Sequence, residues 1–217
     1  MVNLYNTEVY INMKLKSYWN VDLDGRFTDN NSSTLCIILP GIAYYLERPY
    51  LNYSKQLVDK LNYDILEIED GLQIARKELH LPDDFEILLK ETSELINIYL
   101  KKEYKNIIII GKSIGTVLQT FLNKQLENKN ITNIYISPID KTADFGIEEN
   151  SLVITGTKDP LLSLDSRNKI KEIKNTKLID IEGAGHSLDI HEDIFRGIDE
   201  LKKVIEIERN FLINKGL

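Results

Sequence analysis

Short runs of consecutive apolar, mostly β-branched residues alternate with longer stretches in which apolar positions recur every three or four residues. Six such runs follow residue 33, over 34–39 (TLCIIL), 64–69 (DILEIE), 106–110 (NIIII), 132–137 (TNIYIS), 151–155 (SLVIT) and 177–181 (KLIDI). Several are apolar at successive positions, the pattern of strands covered on both faces, as in a parallel sheet. Helical periodicity lies between them. Residues 85–101 carry Leu88, Leu89, Leu95, Ile96 and Tyr99 on one stripe, preceded by the start signals Pro82, Asp83 and Asp84. Ile114, Val117, Leu118, Phe121 and Leu122 follow the i, i+3, i+4, i+7, i+8 template, so a helix starts almost directly after Gly111. A last helix spans about 192–211 through Ile194, Ile198, Leu201 and Ile205, and weaker helical patterns cover 48–62 and 164–173.

Strands alternating with helices predict an α/β fold, a three-layer α/β/α sandwich around a mostly parallel, doubly wound sheet. The first 30 residues differ: residues 8–15 alternate, and turn-rich segments follow at 22–25 and 29–33. They read as an antiparallel edge hairpin or a single edge strand. No internal repeat, linker or extended low-complexity segment interrupts the chain, so residues 1–217 are expected to form one domain.

Charge narrows the partners. The chain holds 27 Lys and Arg against 34 Asp and Glu, a net charge of −7 spread along the chain rather than gathered into a tail, which disfavours nucleic acid as a main partner. The longest apolar runs fall far short of the roughly 20 residues that span a bilayer, and the N-terminus lacks the continuous apolar stretch of a signal peptide. No membrane association and a cytoplasmic location are the expectations. The single cysteine, Cys36, lies within TLCIIL and reads as a small buried hydrophobe. With one cysteine, neither an internal disulfide nor a Cys-based zinc motif can be written.

Residues 111–115, Gly-Lys-Ser-Ile-Gly, match G-x-S-x-G between the strand NIIII and an amphipathic helix. That strand-turn-helix setting is what a nucleophile elbow requires. A strand turning at once into a helix crowds the serine, so the side chains two residues before and after it must be nearly absent. A phosphate-binding loop also ends in Gly-Lys-Ser, but it needs glycine at 106, where this chain has Asn106, and a flexible loop where it has four isoleucines. A serine nucleophile needs a base, and the base an orienting acid. Downstream, SLVIT runs into Asp159, and KLIDI runs into the loop holding His186. Ser113, Asp159 and His186 therefore follow one another in that order, each just past the C-terminal end of a strand, where open α/β sheets bind ligands. Of three histidines, His80 precedes a helix start and His191 an exposed one, leaving His186 the best placed. Asp140, past TNIYIS, is the alternative acid.

Through GKSIG, ITGTKDP and GAGHS the chain resembles the α/β-hydrolase fold family over roughly residues 34–210. The resemblance implies acyl transfer with Ser113 as nucleophile, His186 as general base and acid, and Asp159 orienting the imidazole. It also implies an oxyanion hole from the backbone N–H groups of Ile114 and Ile42, the latter in Leu39-Pro40-Gly41-Ile42, where the family often has His-Gly. Lys112 reads as a solvated or ion-paired neighbour whose charge could favour anionic substrates. Tyr44 and Tyr45 could line the pocket or pack elsewhere.

Many family members insert a helical lid after the strand equivalent to TNIYIS, whereas here only residues 138–150 intervene. The expected site is open, touched by loops 42–49, 140–145 and 161–164, and suited to small acyl substrates. No NAD, flavin or metal motif is present, and the triad chemistry needs no cofactor. The sequence thus predicts a serine hydrolase of carboxylic esters or thioesters. The alternatives are a peptidase, an acyltransferase, or a non-catalytic protein binding a small ligand or partner on the same fold. Oligomeric state is not legible from periodicity.

Overall fold

A computed structural model of the protein describes residues 15–23, 25–80, 82–100, 102–126 and 130–217. Of the alternating segment 8–15, all but Leu15 lies outside these residues. Leu15–Lys16 (β1) and Asp22–Leu23 (β2) pair antiparallel in a two-stranded ribbon, and Gly25–Thr28 (β3) begins directly beyond. Asp22, Leu23 and Gly25, expected within a turn, are therefore strand residues. The turn lies earlier, around Asn20, whose positive φ of 59° closes the ribbon.

Six further strands match the apolar runs to within two residues: Thr34–Leu39 (β4), Asp64–Ile68 (β5), Asn106–Lys112 (β6), Asn130–Ile136 (β7), Leu152–Gly156 (β8) and Lys177–Ile181 (β9). With β3 they form one seven-stranded sheet in the order β3-β5-β4-β6-β7-β8-β9. Every pairing is parallel except β3 against β5, which makes β3 the antiparallel edge strand. Strand order reverses between β4 and β6, so the loops leaving these two neighbours diverge and open a crevice at their C-terminal ends.

The helices Pro49–Lys60 (α1), Gly71–Ile74 (α2), Asp83–Tyr99 (α3), Ile114–Gln125 (α4), Asp140–Phe145 (α5), Leu164–Glu172 (α6) and Ile194–Asn214 (α7) complete the fold. Alternate strand residues face opposite layers. Cys36, Ile38, Ile108, Ile110, Ile134 and Ile154 pack against Leu51 and Val58 of α1 and Val204 and Leu212 of α7. Leu35, Ile37, Ile107 and Ile109 pack against Leu88, Leu95 and Ile96 of α3 and Leu118 and Leu122 of α4, while Val153 meets Ile170 of α6. The result is a three-layer α/β/α sandwich. Cys36 is fully buried in its first apolar layer. α2 and α5, four and six residues long, were not expected, because neither completes enough turns to show a periodic stripe. Among the described residues no helix is long and apolar enough to cross a membrane.

Candidate active site

The central strand β6 ends at Lys112, and Ser113 stands at the N-cap of α4 with φ 55° and ψ −119°. This left-handed backbone turns the serine side chain out of both elements. The flanking glycines are required by contact. A Cβ on Gly111 would come within 2.4 Å of the Gln119 amide oxygen and 2.8 Å of the Gly115 carbonyl. One on Gly115 would meet the Leu39 carbonyl at 2.5 Å, so strand β4 and the start of α4 touch only because no side chain intervenes. The Ser113 amide donates to the Ile136 carbonyl at 3.1 Å, extending the β6–β7 ladder to the base of the elbow.

Two loops from the far half of the sheet converge on Ser113. After β8 the chain turns through a bond from the Asp159 amide to the Gly156 carbonyl, and after β9 it enters the loop holding His186. These loops are joined: the Thr157 amide donates to the Ile181 carbonyl at 3.0 Å, the Lys158 amide to the Ala184 carbonyl at 2.9 Å, and the Gly183 amide to Thr157 Oγ1 at 2.9 Å. His186 Nδ1 lies 2.8 Å from Asp159 Oδ2, and His186 Nε2 lies 2.8 Å from Ser113 Oγ. A carboxylate only accepts, so Nδ1 carries the proton and Nε2 accepts from the serine hydroxyl. Burial pushes Asp159 upward, but bonds from His186 and the Leu161 amide, with the nearby Lys112 charge, outweigh it and hold the carboxyl below its ordinary range.

The loop after β4 closes the other side. Gly41 sits so near the elbow that a Cβ there would come within 2.9 Å of Ser113 Cβ. Its carbonyl accepts from the Tyr44 amide at 3.1 Å and from Gln73 Nε2, which also reaches the Ile42 carbonyl at 3.4 Å. In a trans peptide the N–H points opposite the preceding C=O. Holding the Gly41 carbonyl toward Gln73 therefore fixes the Ile42 N–H on the opposite side of that peptide. Gln73 is itself fixed: it is buried in α2, and its own amide donates to the capping Asp70 Oδ1 at 2.8 Å. Ile114 is the first residue of α4, where backbone N–H groups lack intrahelical partners.

No protein-family profile matches the chain, and neither does any curated protein. Solved structures do. Est1E from Butyrivibrio proteoclasticus, determined with ferulic acid bound, aligns over 93% of this chain and 98% of its own with a TM-score of 0.70 at 16% identity. XC6422 from Xanthomonas campestris, a member of the α/β serine hydrolases without a lid, aligns over 94% and 97% with a TM-score of 0.64 at 14% identity. This chain has the α/β-hydrolase fold. The Pyrococcus furiosus esterase Pf2001 shares the fold too, over 94% of this chain and 92% of its own, with a TM-score of 0.63 at 18% identity.

Within this α/β-hydrolase framework the remaining candidates separate. Asp140 begins α5, where its Oδ1 accepts from the Ser163 amide at 2.8 Å and its own amide donates to the Leu161 carbonyl, so it ties α5 to the start of α6. The carboxylate bonded to His186 is that of Asp159. His80 and His191 are not part of this chain of bonds, and His191 is exposed. Tyr45 is exposed, whereas Tyr44 is buried and its hydroxyl accepts from the Tyr50 amide at 3.1 Å.

Lys112 corrects the sequence expectation. It is not solvated, and among the described residues no carboxylate is paired with it: it is fully buried, donates from Nζ to the His186 carbonyl at 2.7 Å, and sits 4.8 Å from the centre of the Tyr44 ring. Burial pushes its ammonium down to about 7, against the pull of Asp159 and Asp189. Strand alternation explains the error, since Ser113 leaves the strand while Lys112 still belongs to it and points into the layer below the His186 loop. Gln73 was also missed. It belongs to a helix too short to read, and its role depends on a contact 32 residues away. Among the described residues no cluster of three or more His, Cys, Asp or Glu is placed to hold a metal ion.

Proposed function

We propose that the protein is a lid-less serine hydrolase that cleaves carboxylic esters or thioesters through an acyl-serine intermediate. The carrying observation is the continuous chain from Ser113 Oγ through His186 to Asp159, with both links at 2.8 Å. As Oγ attacks the acyl carbon, its proton passes to His186 Nε2, and Asp159 stabilises the imidazolium. Negative charge develops on the carbonyl oxygen, toward which the N–H groups of Ile114 and Ile42 supply preorganised donors. Collapse expels the alkoxide or thiolate, which takes the proton from Nε2. A water then delivers a proton to Nε2 and its hydroxyl to the acyl carbon, releasing the carboxylic acid and restoring Ser113. Lys112, bonded to the His186 carbonyl, supports the position of the base without touching the reacting atoms.

The fold likeness to esterases agrees with this reading. A panel of activated esters, thioesters and aminoacyl amides, run with wild type, Ser113→Ala and His186→Ala, tests it. Turnover of esters or thioesters that falls by several orders of magnitude in both variants is expected. Turnover of none of the panel, or equal turnover by wild type and Ser113→Ala, contradicts it.

A further inference from the structure

A cavity of about 260 Å³ lies beside the elbow, between the start of α3, the start of α4 and α5. Its walls are Phe85, Ile114, Val117, Ile139 and Phe145, with Pro82 also lining it and Lys141 the one charged lining residue. Ile114 couples this cavity to the chemistry, because it follows Ser113 directly and its N–H is a proposed oxyanion donor while its side chain forms a wall. Ile139 lies just beyond the C-terminal end of β7, the strand beside β6, so the cavity lies at the sheet edge that carries the serine. Phe121 joins the two outer walls, its ring centre 5.5 Å from that of Phe85 and 5.0 Å from that of Phe145.

We propose that this cavity is the acyl pocket and that it selects apolar acyl groups of roughly six to ten carbons, straight-chain or bearing an aryl ring. This rests on the serine-hydrolase reading and adds the substrate class to it. The volume decides the size range: an apolar cavity of about 150 Å³ holds a benzene ring, so this one takes a ring with a short linker or a medium chain. The walls decide the polarity: five of the seven lining residues are Phe, Ile or Val and the one charged residue, Lys141, is exposed, so a polar atom set against the apolar side chains has no partner there and costs its full desolvation. An upper limit comes from Phe85 and Phe145. They also line a second, larger trough of about 680 Å³ running between α3 and α4, and so stand between the two hollows. A chain longer than the first must displace these rings to reach the second. The trough is also crossed farther along by the bond from Ser93 Oγ to Gln125 Oε1 at 2.9 Å.

The test uses p-nitrophenyl esters from acetyl to palmitoyl, with phenylpropionyl added, and in parallel a series of acetate esters with lengthening alcohols. For wild type, kcat/KM should rise by about fourfold per methylene up to the filled cavity and then fall, while the alcohol series stays nearly flat. Val117→Trp should move the optimum to shorter acyl groups. Phe145→Ala, at an exposed position that tolerates truncation, should move it to longer ones by opening the way into the trough. Acetyl ester turnover with no dependence on acyl length, or a dependence confined to the alcohol, overturns the pocket while leaving the hydrolase reading intact. Optima unchanged in a folded Phe145→Ala protein also overturn it. Failure to turn over any ester is the separate failure of the hydrolase reading.

Discussion

Gln73 shows how much a single amide group can govern. Its Nε2 donates to the carbonyls of Gly41 and Ile42, so the side chain sets the direction of the peptide that carries the Ile42 N–H. Gln73→Glu keeps the shape but, when ionised, presents oxygen to two carbonyl oxygens. Removing an oxyanion donor outright costs about 10²–10³ in kcat, and misdirecting one should cost about tenfold to a hundredfold, with KM little changed. Protonating the introduced carboxylate restores a donor, so the ratio of variant to wild-type kcat should recover as pH falls. A purely structural role would instead lower stability and leave that ratio independent of pH. The strand-end placement of Ser113, Asp159 and His186 was legible in the sequence because each follows a strand that announces itself in the apolar pattern. Gln73 and Lys112 were not, because their roles lie in contacts with segments 32 and 74 residues away.

At the scale of elements, the six parallel strands were legible because burial on both faces leaves unbroken apolar runs, and the long helices because a stripe needs three or four turns to declare itself. What escaped was short: α2 and α5, and the bounds of the expected N-terminal hairpin, whose strands β1 and β2 are only two residues each. The pairing of α1 with α7 carries its own consequence. Glu208 of α7 is fully buried against α1, where its Oε2 lies 2.7 Å from Ser54 Oγ, and Ser54 also bonds the Tyr50 carbonyl at 2.7 Å. One hydroxyl proton cannot serve both acceptors. A protonated Glu208 resolves this by donating to Ser54 Oγ, which then donates to Tyr50. Burial pushes this carboxyl up to about 8, in the same direction. Between its ordinary value of 4.5 and about 8 the folded chain holds a proton that the unfolded chain has lost, so this contribution to stability is present at low pH and fades as pH rises through 8. Glu208→Gln keeps a donor at every pH. Urea unfolding at about pH 4 and about pH 8.5, on either side of that window, should show the variant gaining on wild type at the higher pH, and an equal difference at both would contradict a protonated Glu208.

Across the whole molecule, the site is a product of topology. Reversal of strand order between β4 and β6 places the Gly41–Ile42 loop beside the Ser113 elbow, and the parallel succession of β7, β8 and β9 brings Asp159 and His186 to the same edge. The connection after β7 adds only α5 above that edge, so the proposed acyl pocket is built from helix starts belonging to the sandwich itself. The central claim is that Ser113 is a nucleophile activated by His186 and Asp159. It is tested most directly by treating wild type and Ser113→Ala with a fluorophosphonate and locating the adduct by peptide mass spectrometry. A single stoichiometric adduct on Ser113, absent from the alanine variant, is the predicted result, and labelling elsewhere or equally in both proteins would contradict it.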